Sequence, residues 1–178
     1  MPDFLSGAMC AAITAYAVQS HKWESALWPW DQRSINLENL DHHMRDVFLT
    51  LWPKVRNQLC DYWGVNKQLY GDIFQLVRWQ PGDCLQPPHA DAEQTDGSIH
   101  PFAYREFAAI IYLNQEYTGG QLYFPHFNLE PILSTGTLAI FPGTLKYLHG
   151  VTPIESGTRY TIAGFFTSQS AHGNQYLI

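Results

Sequence analysis

The chain has 178 residues, with 10 Lys and Arg against 16 Asp and Glu for a formal charge of -6, and 46% of its residues are hydrophobic. That length fits one domain with a sizeable apolar core, and the acidic balance, without any Lys/Arg cluster, argues against bulk nucleic-acid binding while leaving a single flipped base open. There is neither an apolar run long enough to span a bilayer nor a basic segment leading into one, and Cys10, Cys60 and Cys84 sit far apart outside any CxxC arrangement. They read as free thiols, so a cytoplasmic location and no membrane contact are expected.

Ser6 is a candidate N-cap for a helix over Ala8 to Val18, in which Met9, Ile13 and Tyr16 or Ala17 form one apolar stripe. Residues 21–38 carry Trp23, Trp28, Trp30 and Arg33 among turn formers without a clean period, and read as irregular structure. A second helix is expected from about Leu40 to Trp63, because Met44, Val47, Phe48, Leu51, Val55 and Leu59 recur at three and four positions. Pro53 should kink or divide it. His42 and His43, near its start, are either solvated or in the service of a site.

From Gln68 the texture changes to short β-type runs at 68–79, 107–113, 121–124, 137–141 and 159–167, separated by Pro and Gly. Strands that follow helices, rather than alternating with them, imply antiparallel sheets closing on one another. Gly119-Gly120 should turn the chain with positive backbone angles, and Pro142-Gly143 should bend it so that Leu145 to His149 aims inward. Alternation along the last run puts Arg159 and Thr161 on one face. The abundant aromatic residues exceed what a minimal core needs and are expected in part along a pocket.

The motif that carries chemistry is His89-Ala90-Asp91. In an extended segment His89 and Asp91 project to the same side while small Ala90 points away, and His149, from a distant β-type run and followed by Gly150, is the candidate third ligand. Two imidazoles and one carboxylate hold one face of a non-haem Fe(II) and leave positions open. Zn(II) uses the same ligand types with an activated water, so a hydrolase is the alternative. The discriminating residue is Arg159, a permanent charge with a planar fork suited to the far carboxylate of a dicarboxylate co-substrate such as 2-oxoglutarate, with Thr161 adding a hydroxyl beside it.

These residues resemble the prolyl-hydroxylase-like (prolyl 4-hydroxylase) branch of the Fe(II)/2-oxoglutarate-dependent dioxygenases. The likeness runs from Phe4-Leu5-Ser6 through Trp79-Gln80-Pro81-Gly82, Arg105, Tyr112-Leu113-Asn114, Gly119-Gly120-Gln121-Leu122-Tyr123-Phe124-Pro125 and Gly136 to Phe141, to His149-Gly150-Val151-Thr152-Pro153-Ile154 and Gly157 to Thr161. It implies a mainly β fold with N-terminal helices, the cupin-like double-stranded β-helix or jelly roll, in a single domain over 1–178 with helical support at about 6–63 and the jelly-roll core at about 67–168. By the same resemblance His89, Asp91 and His149 are the iron ligands, Arg159 and Thr161 bind 2-oxoglutarate, the Tyr112 hydroxyl assists, and O2 is the second co-substrate. Arg159 replaces the lysine typical of collagen-type members, and Trp79 stands where a tyrosine is usual.

The expected reaction is hydroxylation of an unactivated C–H bond, in a prolyl or other amino-acid residue of a peptide or protein, with a free amino acid or small natural-product metabolite as the alternative substrate. A non-catalytic jelly-roll binding protein is the non-enzyme reading. Asp91 argues against halogenation, which needs that carboxylate position vacant. The sequence leaves the oligomeric state open. Arg105 is a candidate substrate contact or a strand-edge ion pair. Gln86 to Pro101 is the expected mobile rim, with the 23–33 segment closing against it and Trp28, Trp30, Arg33, Arg78 and Trp79 as substrate-contact candidates. His126 either lines the cleft or is a loop or core histidine.

Overall fold

The structure is a computed structural model that describes residues 1–26, 30–83 and 86–178. Trp28 and Cys84 therefore lie outside the described residues. In chain order the elements are helix α1 (Gly7–Gln19), strand β1 (Ser34–Ile35), helix α2 (His42–Trp63), then strands β2 (Tyr70–Trp79), β3 (Gln86–His89), β4 (Phe107–Tyr112), β5 (Tyr117–Gly119), β6 (Leu122–Tyr123), β7 (Leu138–Pro142), β8 (His149–Val151), β9 (Ile154–Gly157) and β10 (Arg159–Thr167).

The strands pair antiparallel into a five-stranded sheet of order β1-β2-β10-β4-β7, a three-stranded sheet β3-β8-β6 and a two-stranded ribbon β5-β9. The order is non-sequential because consecutive strands cross between the large and small sheets. This is the double-stranded β-helix. The first sheet is covered on one face by the helices and faces a cavity with the other.

The Ser6 hydroxyl accepts from the Met9 amide and caps α1, as its sequence position predicts. The buried stripe of α1 is Cys10, Ile13 and Ala17, whereas Met9 is exposed. Ile13 and Ala17 are buried as the periodicity indicated, and only the first position differs, Cys10 taking the place of Met9 with its thiol 4.0 Å from the Leu5 and Tyr112 carbonyl oxygens. Burial pushes that thiol pKa up. Cys10 and Cys60 are both free.

Asp41 caps α2 and Gly64 ends it in the left-handed conformation. Pro53 does not divide this helix, which runs as one element from His42 to Trp63. Buried residues on both sides of the proline, from Met44, Phe48 and Leu51 to Val55 and Leu59, seat it on the sheet, and each large side chain contributes about 1.5–3 kcal/mol of burial against the lost backbone bond. The Trp52 ring stacks on Phe166 at 4.4 Å and meets Phe74 edge-on at 5.5 Å. Phe74, Leu76, Ile162 and Phe166 thus face the helices, leaving their strand neighbours to face the cavity. Among the described residues no helix is long and apolar enough to cross a membrane.

Candidate metal centre and its cavity

Pairing of β3 with β8 sets His89 directly opposite His149, with ring centres 4.5 Å apart. Asp91 lies beyond the end of β3, in a bend rather than in a continuing strand, yet its carboxylate still reaches both rings. Oδ1 is 3.8 Å from His89 Nε2, and Oδ2 is 3.9 Å from His149 Nε2. One donor atom from each residue falls within 4.8 Å of the others.

The backbone selects the face each imidazole presents. His89 Nδ1 lies 2.9 Å from the Pro87 carbonyl oxygen, and His149 Nδ1 lies 3.0 Å from that of Tyr147. A carbonyl only accepts, so in the neutral ring Nδ1 carries the proton and Nε2 keeps its lone pair, turned toward Asp91. Burial, and next the neighbouring His89, lower the His149 pKa to about 4, so this ring is neutral at pH 7. The Asp91 carboxyl is raised above the usual carboxylate range by burial, with His89, Arg105 and His100 pulling the other way.

Asp91 is 7% exposed and its Oδ2 is buried without a hydrogen-bond partner among the described residues. An orphaned buried carboxylate oxygen beside two imidazole lone pairs is uncompensated unless a cation sits among them, and two nitrogens with one oxygen on a single side suit divalent iron. Gly143 lets the backbone approach this site closely, because a Cβ there would stand 2.4 Å from the Arg105 carbonyl oxygen and 3.3 Å from the Asp91 Cβ. Its amide donates to the Glu106 carbonyl and its own carbonyl accepts from Ala92, both at 2.9 Å. The predicted bend after Pro142 is thereby tied to the loop that carries Asp91.

A cavity of about 470 Å³ lies between the sheets, with His89, Asp91 and His149 on one wall and Arg159 and Thr161 on another. Leu122, Phe141 and Val151 give it an apolar lining beside the histidines. Arg159 is 2% exposed. Its Nη2 donates to the Tyr112 hydroxyl at 3.0 Å, while its Nε is buried without a partner among the described residues. No carboxylate among them is within ion-pairing distance of Arg159. A permanent charge without a counter-ion is costly to bury, and a bound carboxylate would supply one. Tyr112 stands behind Arg159, outside the cavity lining, and half-buried Tyr117 lies on the same side, its phenol pushed up by burial. Gly119 and Gly120 take the predicted positive φ, 73° and 68°, and a Cβ on Gly120 would crowd Ile154 at 2.3 Å and the Arg159 side chain at 3.2 Å.

The rim residues divide. Trp79 and Trp30 line the cavity and pack edge-on at 5.4 Å. Arg33 does not line it. It pairs with Asp83 at 2.9 Å and lies over the Trp79 ring at 4.9 Å, so it backs the wall instead of reaching through it. Arg78 is also not a cavity residue, because strand alternation turns it away from the face that Trp79 occupies. It lies over the Trp23 ring at 4.1 Å and donates to the Gln32 carbonyl at 2.9 Å. Arg105 is in an ion pair, its Nε bonding Asp72 at 2.6 Å with the guanidinium between the Phe102 and Phe165 rings at 3.9 and 4.0 Å, and it also lines the cavity. His126 is exposed in a short 3-10 turn away from the cavity, and exposed His42 pairs with Asp46 at 3.2 Å.

Several lining residues have no motif to announce them: Glu24, Ser34, Asn36, Gln75 and His100. Of these, Gln75 had a usable signal, as a polar residue in the alternating set Ile73, Gln75, Val77 and Trp79.

Comparison with known proteins adds the following. A family model described as the 2OG-Fe(II) oxygenase superfamily matches residues 74–167, just over half of the chain. Prolyl 3-hydroxylase 1 of Rattus norvegicus is 26% identical over 149 residues, covering 72% of this chain and 20% of that protein. The chain thus spans about a fifth of the length of the curated relatives it matches. Among solved structures, the viral collagen prolyl hydroxylase of Paramecium Bursaria Chlorella virus-1 in its 2OG complex superposes with TM-score 0.71 at 18% identity, covering 94% of this chain and 93% of that one. A prolyl hydroxylase of Trichoplax adhaerens, in complex with a hypoxia inducible factor peptide fragment, superposes with TM-score 0.71 at 16% identity, covering 97% and 84%.

Proposed function

The chain belongs to the 2OG-Fe(II) oxygenase superfamily, and from that premise we propose that it hydroxylates a prolyl residue within a peptide or protein. It is an enzyme that uses Fe(II) and 2-oxoglutarate. The carrying observation for co-substrate use is Arg159, buried in the wall of the cavity that holds His89, Asp91 and His149, and lacking any acidic partner among the described residues.

His89, Asp91 and His149 would hold the iron through two Nε2 atoms and one carboxylate oxygen. Iron and 2-oxoglutarate held there would supply oxidative chemistry with O2, in which one oxygen atom goes to the substrate C–H bond and the other to the succinate formed with CO2. Arg159 anchors the distal carboxylate of 2-oxoglutarate, Tyr112 holds the guanidinium in place through its hydroxyl, and Thr161 offers a further hydroxyl on the same face. Phe124 and Phe141 pack against His149 at 5.9 and 4.6 Å and help to exclude water from its ligating side. No side chain has to act as a general base.

The prolyl reading rests on the likeness to prolyl 3-hydroxylases and on the apolar surface of Trp30 and Trp79 in the lining of the same cavity, beside Arg159. A second reading, a free amino acid or small metabolite, is favoured by the cavity volume, which lies within the range for small-molecule sites. The acidic charge and the absence of a basic tract keep nucleic acid outside the proposal.

Co-substrate use is tested by anaerobic titration of the protein with Fe(II) and 2-oxoglutarate. A metal-to-ligand charge-transfer band is expected, and its absence would refute the assignment. A mass-spectrometric screen of proline-containing peptides and free metabolites for gain of one oxygen coupled to succinate then separates the substrate readings. Oxygen gained only by free metabolites would overturn the peptide proposal.

A further inference from the structure

Along β2 the side chains of Ile73, Gln75, Val77 and Trp79 face the cavity, while Phe74 and Leu76 between them are buried in the helix-covered core. Gln75 is the polar exception. It is 7% exposed, and its carboxamide makes no side-chain hydrogen bond among the described residues. Across the pair on β10 it meets only the methyl group of Ala163.

The neighbouring edge strand adds two more polar groups to this wall. Ser34 pairs with Val77 and Ile35 with Leu76, and the residues next along, Asn36 and Gln75, both line the cavity together with Ser34. Asn36 donates from its backbone and side-chain nitrogens to the Glu24 carboxylate, and Asn39 donates to the same group at 2.9 Å. A carboxylate only accepts, so it fixes which way the Asn36 amide points, and the Asn36 Oδ1 is left over, buried and without a partner.

This wall therefore presents the Gln75 carboxamide, the Ser34 hydroxyl and the edge of the Glu24 carboxylate, and no cation, while the Asn36 Oδ1 stays enclosed behind it. Glu24, itself a lining residue, disfavours an anion, and Arg33, which backs this side of the cavity, is already paired with Asp83. The complement of such a surface is a neutral group that both donates N–H and accepts at C=O. Buried polar groups of native proteins are paired with protein or with water, and a ligand that enters a cavity can take over the bonds that water makes to its wall.

We propose that Gln75, with Ser34 beside it and Asn36 tying Glu24 in place, forms a subsite for the backbone amide next to the hydroxylated residue of a peptide substrate. The proposal deepens the peptide reading given above and rests on it. Gln75 is here a specificity residue. A free amino acid, with its carboxylate in place of an amide, finds no cation on this wall.

The test uses the full chain and the variants Gln75→Met and Ser34→Ala, with blocked prolyl tripeptides such as N-acetyl-Gly-Pro-Gly-amide and free L-proline as probes. Calorimetric titrations are made on Mn(II)- and 2-oxoglutarate-loaded protein, where no turnover occurs. Wild type should bind a blocked peptide more tightly than free proline, and Gln75→Met should weaken peptide binding at least about tenfold while 2-oxoglutarate affinity stays within about twofold. Ser34→Ala should lose less, about threefold. Thermal melting of the same proteins supplies a second readout: removal of an unpaired carboxamide from an apolar strand face should raise the midpoint of Gln75→Met, whereas a merely structural glutamine would lower it.

Unchanged peptide affinity in Gln75→Met, an equal loss of 2-oxoglutarate affinity, tighter binding of free proline by wild type, or a fall in melting midpoint would each overturn the subsite. Turnover separates the two proposals. Peptide hydroxylation with unaltered KM in Gln75→Met removes the subsite and leaves the prolyl function standing. Gln75-dependent binding of peptides that are never hydroxylated removes that function and leaves the subsite.

Discussion

Arg159 Nη2 donates to the Tyr112 hydroxyl at 3.0 Å, its guanidinium lies 5.0 Å from the centre of that ring, and the two residues are 2% and 1% exposed. The tyrosine orients the cation without neutralising it. Charge and direction at the co-substrate end of the cavity are therefore separate contributions from separate residues. Arg159→Ala should weaken 2-oxoglutarate binding by about 3 kcal/mol, roughly 100-fold, as expected when one member of a buried charged pair is removed. Tyr112→Phe, losing one net hydrogen bond of about 1 kcal/mol, should weaken it only about fivefold. Equal effects in a competition titration with Fe(II) present would contradict this division.

Asp91 is expected to trade stability for metal binding. Its carboxylate is buried with one oxygen orphaned, so Asp91→Ala should lose Fe(II) binding in equilibrium dialysis, yet the metal-free variant should melt at or above the wild-type temperature. A large drop in the melting temperature of the metal-free variant would identify Asp91 as a structural anchor instead.

His149 sets a pH dependence whose sign is fixed. Its folded-state pKa, about 4, lies below the ordinary histidine value of 6.5, so the folded state resists a proton that the unfolded chain accepts. The stability tied to this neutral ring is fully present above pH 6.5 and is lost as pH falls toward 4, amounting to roughly 3 kcal/mol. Asp91, raised by burial, acts in the opposite direction at the acid end. Denaturant titrations of metal-free wild type and His149→Asn at several pH values should differ in slope between pH 6.5 and 4, and parallel curves would rule the effect out. Histidine NMR should follow one imidazole titrating near pH 4.

Gly143→Ala should injure the metal site without touching a ligand. The new Cβ would stand 2.4 Å from the Arg105 carbonyl oxygen and 3.3 Å from the Asp91 Cβ, so the Asp91 loop has to shift. A stability loss of about 1–3 kcal/mol, typical of overpacking, is expected together with weaker Fe(II) binding. Preserved iron affinity in a calorimetric titration would show that the loop yields elsewhere.

The parts of the site legible in the sequence are those whose geometry is local. The two-residue step from Arg159 to Thr161 puts both on the cavity face of β10, and His89 and Asp91 are close enough in sequence to share a site even though a bend, not strand alternation, turns the Asp91 carboxylate toward the histidines. The rest depends on partners distant in sequence. Which face of β2 meets the cavity decides that Trp79 lines it and Arg78 does not, and that choice is made by Phe74 and Leu76 packing under α2. Arg33 is held by Asp83, a partner fifty residues away that no local pattern pairs with it. The short strands β1, β3, β5, β8 and β9 have too few residues to establish a period, and each is defined by the strand it pairs with across the fold: β1 by β2, β3 by β8, and β5 by β9. Of the two outcomes expected at Pro53, division of α2 does not occur, tertiary contacts on both sides of the proline outweighing one missing backbone bond.

The carbonyls of Pro87 and Tyr147, each two residues before its histidine, orient both imidazoles before any ion arrives. A site preorganised in this way by main-chain atoms has little means of choosing among first-row metals, and its affinities should follow the Irving–Williams series, with copper, nickel and zinc above iron. Mismetallation is then the default outcome when the protein is produced where those ions abound, and the identity of the resident metal is decided by cellular supply rather than by the fold.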